Sequence, residues 1–579
     1  MPENGRYVFA AKLADVQSAG CLVAHVEKQT LALFFEGDAV YAIENACPHM
    51  GFPLHRGTVK DCVLTCHWHH ARFDLKSGGT FDPWADDARA FPIEIKNGEV
   101  WVDISPRADQ AGYLKQRLAD GLRQDLSLVI AKSTIALAST GETLLPFKTG
   151  LAFGVEARRQ GWGQGLTILT CMQNLLPALN AEDRPRALYH GLSAVSRDCA
   201  GSPPRIEARP LPGPSVGAPT LKRWFRDFVE VRNAEGAERC IVTAVASGAS
   251  KKEIADMLFA AVTDHRYIST GHPLDFTNKA LEALDLAGWD NAGPVLGSLV
   301  SGYAGAQRME ESNAWRNPID LIALLHVAFE ELPDVVERGR TRRGKWTGRP
   351  VLVKVLLGDS PTEIASVLLA SLHDGATEEE LASAVTFAAA MRIARFAVSN
   401  EFGDWDTALH TFTFANAVQH GLRRTLSWDL LRGVFDAAMS AYLDRFLNMP
   451  AARLPEPREP ISDPSELLVE LADLMDRQHQ VNESGELVAK YFMAGGSNRD
   501  LLATLGSLLL REDRDFHTIQ TIEAAFRQYS YLRDTPDGPI VLIAAARYLA
   551  AHTPTMRSQG QTYQIARKLS RGELLFEEE

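Results

Sequence analysis

The sequence predicts a multidomain chain in which a small all-β module is followed by a large all-α region. Three observations carry this. Short runs of β-forming residues fill about the first 105 of the 579 residues. Helical periodicity then runs almost unbroken to the end. Within that helical part three stretches align with one another, so it reads as about three degenerate helical repeats. The expected division is 1–106 for the β module and 107–579 for the helical domain. The latter holds a partial unit at 110–183 and repeats near 184–316, 317–461 and 462–579.

The β elements come first. Leu22-Val23-Ala24, Leu31–Phe35 and Ala39–Ile43 read as strands, with Glu36-Gly37-Asp38 as a hairpin break between the last two. Phe91–Ile95, Asn97-Gly98 and Val100–Val102 read as a second hairpin. The strand pattern stops near Ile104–Asp109. Beyond it, Ile254, Met257, Leu258 and Ala261 recur at helical spacing, and Ser250 and Ser360 look like helix starts. Loops are expected at Ser202–Thr220, Arg338–Pro350 and Leu454–Pro464.

Composition narrows the function classes. Lys+Arg number 60 and Asp+Glu 73, a formal charge of −13. Such an acidic chain offers no footprint for nucleic acid and no attraction to an anionic membrane surface. No apolar run approaches the roughly 18–20 residues of a membrane span. The opening MPENGRYVFAAKL lacks a basic stretch followed by an apolar one, so a cytoplasmic location is expected. No dinucleotide fingerprint, phosphate-cradling loop or Gly-x-Ser-x-Gly elbow is found. The seven Cys cease at Cys240, which argues against a disulfide framework. Four of them crowd into the first 66 residues, and six of the sixteen His lie between His25 and His70. Cys and His crowded together in a reducing compartment suggest metal ligands.

Two loops carry that signal. One is Cys47-Pro48-His49-Met50-Gly51; the other is Cys66-His67-Trp68-His69, followed by Phe73-Asp74 and Gly78-Gly79. Each supplies one thiolate and one imidazole. Zinc accepts two Cys and two His. A [2Fe–2S] cluster takes both Cys on one iron and both His on the other. Flanking His67, His70 and Cys62 fall outside the ligand pattern.

Over about residues 5–105 these loops resemble the Rieske family, in their spacing, the Pro between the first Cys and His, and the trailing Phe-Asp and Gly. The resemblance implies a Rieske [2Fe–2S] cluster, with Cys47 and Cys66 on the inner iron and His49 and His69 on the outer one. Respiratory members have two further Cys that form a disulfide, where this chain has Phe52 and Trp68. They also have a Ser and a Tyr that donate hydrogen bonds to sulfur, where this chain has Ala71 and Phe73. Losing those donors implies a lower potential, on the ferredoxin side of the family. The Asp-x-x-His-x-x-x-x-His stretch of the ring-hydroxylating relatives is not found.

The aligned stretches of the helical part are Ser250–Leu258, Ser360–Leu368 and Ser497–Leu505, each followed by a His-led helix at His272, His410 and His517. Upstream of them lie His190, His326 and Glu470 at equivalent positions. If the array curls closed, equivalent residues converge and a second, non-haem iron site becomes available. If it stays open, they line a groove. For His272, His410 and His517 the stronger reading is structural: capping or hydrogen bonding at a helix start, a role inherited by duplication. On its His-led helices, such as His272–Leu284, the region looks like the questin oxidase-like helical family. That resemblance implies oxygen-dependent oxidation of an aromatic or polyketide-like substrate.

The reading favoured is an oxidoreductase that takes single electrons from an external reductase or ferredoxin and passes them to a site in the helical domain. There a small organic substrate is oxidised with oxygen. The alternative is a non-catalytic electron carrier or redox sensor with a helical docking platform.

Overall fold

A computed structural model describes residues 6–141, 144–456, 463–573 and 575. It contains a small β domain followed by a large helical region. The expected loop at Leu454–Pro464 lies partly outside the described residues, at 457–462.

The chain forms two compact units. One runs to Thr149 and also takes in the chain from Gln559 onward; the other is Gly150–Ser558.

The first unit is built on three antiparallel sheets. β1 (Tyr7–Lys12) pairs with β10 (Glu99–Asp103), which pairs with β9 (Ile93–Lys96). β2 (Cys21–Val26), β3 (Gln29–Glu36), β4 (Ala39–Glu44) and β8 (Ala90–Phe91) form the second sheet. β5 (Thr58–Lys60), β6 (Val63–Thr65) and β7 (Arg72–Asp74) form the third. Both expected hairpins are present. Gly37 and Asp38 turn β3 into β4, and Asn97 and Gly98 turn β9 into β10, all four with positive φ. Such tight turns need that backbone, because its twist matches the strands. Leu31, Leu33, Val100 and Val102 form one core. Leu54, Leu64, Phe73 and Leu75 form a second beneath the ligand loops. Besides α1 (Leu13–Ala19), two packed helices follow the sheets, α2 (Gln110–Arg123) and α3 (Ser127–Ser139).

The second unit is helical. Ser250, Ser360 and Ser497 each accept a hydrogen bond from the backbone N–H three residues on. Each so caps a helix of 13 residues: Lys251–Thr263, Pro361–His373 and Asn498–Leu510. The helices His272–Ala287, Phe402–Arg424 and Phe516–Leu532 pack together with Gln164–Leu175. One expectation is corrected. His410 does not lead its helix, which starts eight residues earlier at Phe402, because Glu401 and Asp404 form a capping box there.

Candidate metal centres

The β module presents its four candidate ligands on two loops of the same construction. Cys47 N–H donates to Phe52 O at 2.8 Å, and Gly51 N–H donates to Cys47 O at 2.7 Å. Cys66 N–H donates to Ala71 O at 2.8 Å, and His70 N–H to Cys66 O at 2.9 Å. The fourth residue after each Cys has positive φ, 80° at Gly51 and 61° at His70. Glycine accepts that conformation freely, whereas His70 adopts it as a side-chain-bearing residue. His70 is thus an exposed turn residue, and His67 Nε2 sits 2.5 Å from Thr58 Oγ1.

Depth separates the two ligand types. Cys47 and Cys66 are buried, His49 is half-buried and His69 is exposed. The two thiols are hydrogen-bonded, with Cys47 donating. This pushes the Cys66 thiol down and, with burial, holds the Cys47 thiol well above the usual range. The His49 and His69 rings lie 4.7 Å apart. Burial first, then His69, lowers His49 to about 4, so both its nitrogens are not protonated together at neutral pH. His49 Nδ1 is buried and has no hydrogen-bond partner among the described residues. Two converging thiols and an orphaned imidazole nitrogen fit a cluster with mixed ligation.

The comparisons agree. The Rieske [2Fe-2S] domain model matches residues 6–92. Residues 6–92 are a Rieske [2Fe–2S] domain. The ferredoxin component of a naphthalene 1,2-dioxygenase system from Pseudomonas putida is 28% identical over 101 residues, covering 17% of this chain and 97% of that protein. The 3-phenylpropionate/cinnamic acid dioxygenase ferredoxin subunit of Escherichia coli K12 is 28% identical over 99 residues, 92% of its length. Among solved structures, the ferredoxin of carbazole 1,9a-dioxygenase from Nocardioides aromaticivorans IC177 is 25% identical, covers 17% of this chain and 98% of that one, and has a TM-score of 0.17.

In the Rieske domain Cys47 and Cys66 would hold the inner iron and His49 and His69 the outer. Phe52 and Trp68, where respiratory relatives have a disulfide, pack their rings at 5.9 Å. Trp84 lies on His49 and Trp68 on His69, at 4.8 and 4.7 Å. Ala71 and Phe73 are fully buried and offer no hydroxyl.

In the helical unit the second set of candidates divides. His272, His410 and His517 converge. Their ligand atoms all lie within 4.8 Å of one another. His410 Nε2 is 3.2 Å from His272 Nε2, and His410 Nδ1–H donates to the Asp406 carbonyl at 2.5 Å. That bond leaves Nε2 with its lone pair facing the other rings, an arrangement typical of metal-ligating histidine. Burial and the neighbouring imidazoles push His272 down to about 3, and burial and His517 push His410 to about 4. Neutral imidazoles are the ligand form. His517 Nε2 is buried with no hydrogen-bond partner among the described residues. Asp406 and Asp515 form a second candidate grouping with His517. None of the three histidines is the N-cap of its helix. Gly271 precedes His272, and the Asp515 side chain caps the His517 helix.

A strained turn delivers His272. Tyr267, Ser269 and Thr270 have φ of 45°, 43° and 53°, and Gly271 of 91°. Each left-handed side-chain-bearing residue costs about 1–2 kcal/mol. Such outliers cluster at functional sites. A Cβ on Gly271 would come within 2.7 Å of Phe414 Cδ2.

His190, His326 and Glu470 form no such cluster among the described residues. His190 is buried with Nε2 unpartnered, and burial lowers it to about 3. His326 is exposed beside Glu330, at 3.3 Å, and Glu470 is exposed.

Sequence reasoning missed a second tier. Ten residues beyond each converging histidine stand Glu282, His420 and Arg527, and these also meet. Glu282 Oε1 is 3.4 Å from His420 Nε2 and 3.3 Å from Arg527 Nη2. Lys279 Nζ joins Glu282 and Glu523 at 3.0 and 2.5 Å, and Asn174 Nδ2 reaches the same two carboxylates. Meeting at both positions means the three helices run in one direction. At 1.5 Å per residue the tiers stand about 15 Å apart. The repeated ten-residue offset was the available signal.

Proposed function

We propose that this chain is an oxidoreductase. Its Rieske domain takes single electrons from a separate reductase, as a ferredoxin component would. The His272, His410 and His517 cluster holds a non-haem iron at which an organic substrate is oxidised with oxygen. The convergence of those ligand atoms within 4.8 Å carries this reading. When bound, the cluster supplies one-electron transfer, and an open-sided iron supplies oxygen chemistry. The chain's own contribution is to hold the three imidazoles in place. Asp406 fixes the tautomer of His410 through its carbonyl, and Phe276 and Phe516 flank His272 at 5.5 Å each.

A second reading, an electron carrier with a helical docking platform, is supported by the ferredoxin names of the relatives. Iron analysis separates the two. The oxidoreductase reading expects about three irons per chain, two of them in the cluster. It also expects oxygen uptake when reduced protein meets an aromatic substrate panel. Two irons and no uptake would leave the carrier reading standing. In either case no described helix is long and apolar enough to cross a membrane.

A further inference from the structure

Helix α3 has the sequence SLVIAKSTIALAS, in which Lys132 is the sole charged residue. A lone cation on an apolar, largely buried helix needs a partner to hold it there. Lys132 has two. Its Nζ donates to the carbonyl oxygen of Pro48 at 2.8 Å and to Asp86 Oδ2 at 3.1 Å. Pro48 stands between the ligands Cys47 and His49. The side chains of Lys132 and Asp86 are 23% and 13% exposed, so water screens the contact only in part. Asp86 is held in turn by Arg117 Nε, which donates to its Oδ1 at 2.6 Å. The backbone of Asp86 has a positive φ of 69°. Lys132 lies well past residue 92, where the Rieske match ends. It belongs nonetheless to the same compact unit.

We infer that Lys132 is a potential-setting residue: the helical extension of the Rieske domain places a fixed positive charge on the first ligand loop and so favours the reduced cluster. Reduction adds one negative charge to the cluster. A cation hydrogen-bonded to the loop stabilises that added charge, and the Asp86 carboxylate offsets part of the effect. The two members of one ion pair therefore act on the potential with opposite signs. This inference rests on the cluster alone and stands apart from the question of catalysis in the helical unit.

The test is a redox titration of the full-length, cluster-loaded protein, followed by electron paramagnetic resonance at fixed pH and ionic strength. Lys132→Met is expected to lower the equilibrium constant for reduction about tenfold, which is about 59 mV more negative for one electron. Asp86→Asn is expected to move it positive. Lys132→Arg, which keeps the charge, should stay within about threefold of the parent. Shifts of the same sign in Lys132→Met and Asp86→Asn would mark a merely structural role and overturn the inference. So would an unchanged potential in Lys132→Met with full cluster content. Should Lys132→Met fail to retain its cluster, Asp86→Asn decides, and no positive shift there overturns the inference.

Discussion

The four candidate cluster ligands lie between Cys47 and His69, on two loops closed by the same pair of backbone hydrogen bonds. The three converging histidines are spread from His272 to His517, on three helices that must pack before the rings can meet. The first centre is local and tolerates ignorance of the rest of the chain. The second exists only as a product of the tertiary fold. A short loop brings ligands together at small entropic cost, whereas long separations depend on the packing of everything between.

Crossed ligand replacements test this contrast most severely. Cys47→Ser should remove the cluster iron and its absorbance while the far-ultraviolet helical signal stays. His410→Ala should spare the cluster and cost at least about a hundredfold in retention of any further iron, beyond the 10–100-fold typical of outer-shell changes. Loss of the cluster in His410→Ala would show that the two centres are not independent.

The second tier should report on the helical packing itself. Lys279 is buried between Glu282 and Glu523. Lys279→Met leaves those carboxylates without their closest cation, and breaking a buried pair in this way costs about 3–5 kcal/mol. Denaturant unfolding followed by helical signal would read it. A loss under 1 kcal/mol would mean that water reaches the tier.

Acid gives a smaller, graded effect. His272 and His410 sit at about 3 and 4 in the folded chain, below the ordinary 6.5. The unfolded chain therefore binds more protons than the folded one between those values. The share of these two histidines in the stability of the metal-free protein is full above pH 6.5 and is lost as pH falls through about 4 and 3. Unfolding curves at pH 7 and pH 5 should differ accordingly, and the difference should shrink in His272→Ala.

The smallest effect is expected at the helix starts. Ser497→Ala removes a cap and should cost about 1 kcal/mol, as should Ser250→Ala and Ser360→Ala. Equal costs at the three sites would favour the reading of the helical unit as a degenerate repeat.

Much of the first unit was legible because its signals are short-range. Asn97-Gly98 is a turn in any context that pairs its flanks, and Cys-x-His with Cys-x-x-His constrains a metal by spacing alone. The helical unit was legible only in part. Ser250, Ser360 and Ser497 announced helix starts, but the Phe402 start was hidden, since Glu401 and Asp404 are an unusual capping pair. Lys279, Glu282, Glu523 and Arg527 read as surface charges in a sequence, because nothing local distinguishes a charge that faces a helix from one that faces water. The left-handed run before His272 carries a single visible cue, Gly271.

By itself, then, the sequence determined a Rieske domain with four candidate ligands, a helical remainder and three histidines to compare within it. Only the tertiary structure decided which of those matched residues meet. It brought His272, His410 and His517 together and left His326 and Glu470 at the surface. It also set Lys132 against Pro48. The physical reason is common to all three: side chains far apart in the chain become neighbours through the packing of whole elements, which residue spacing does not encode.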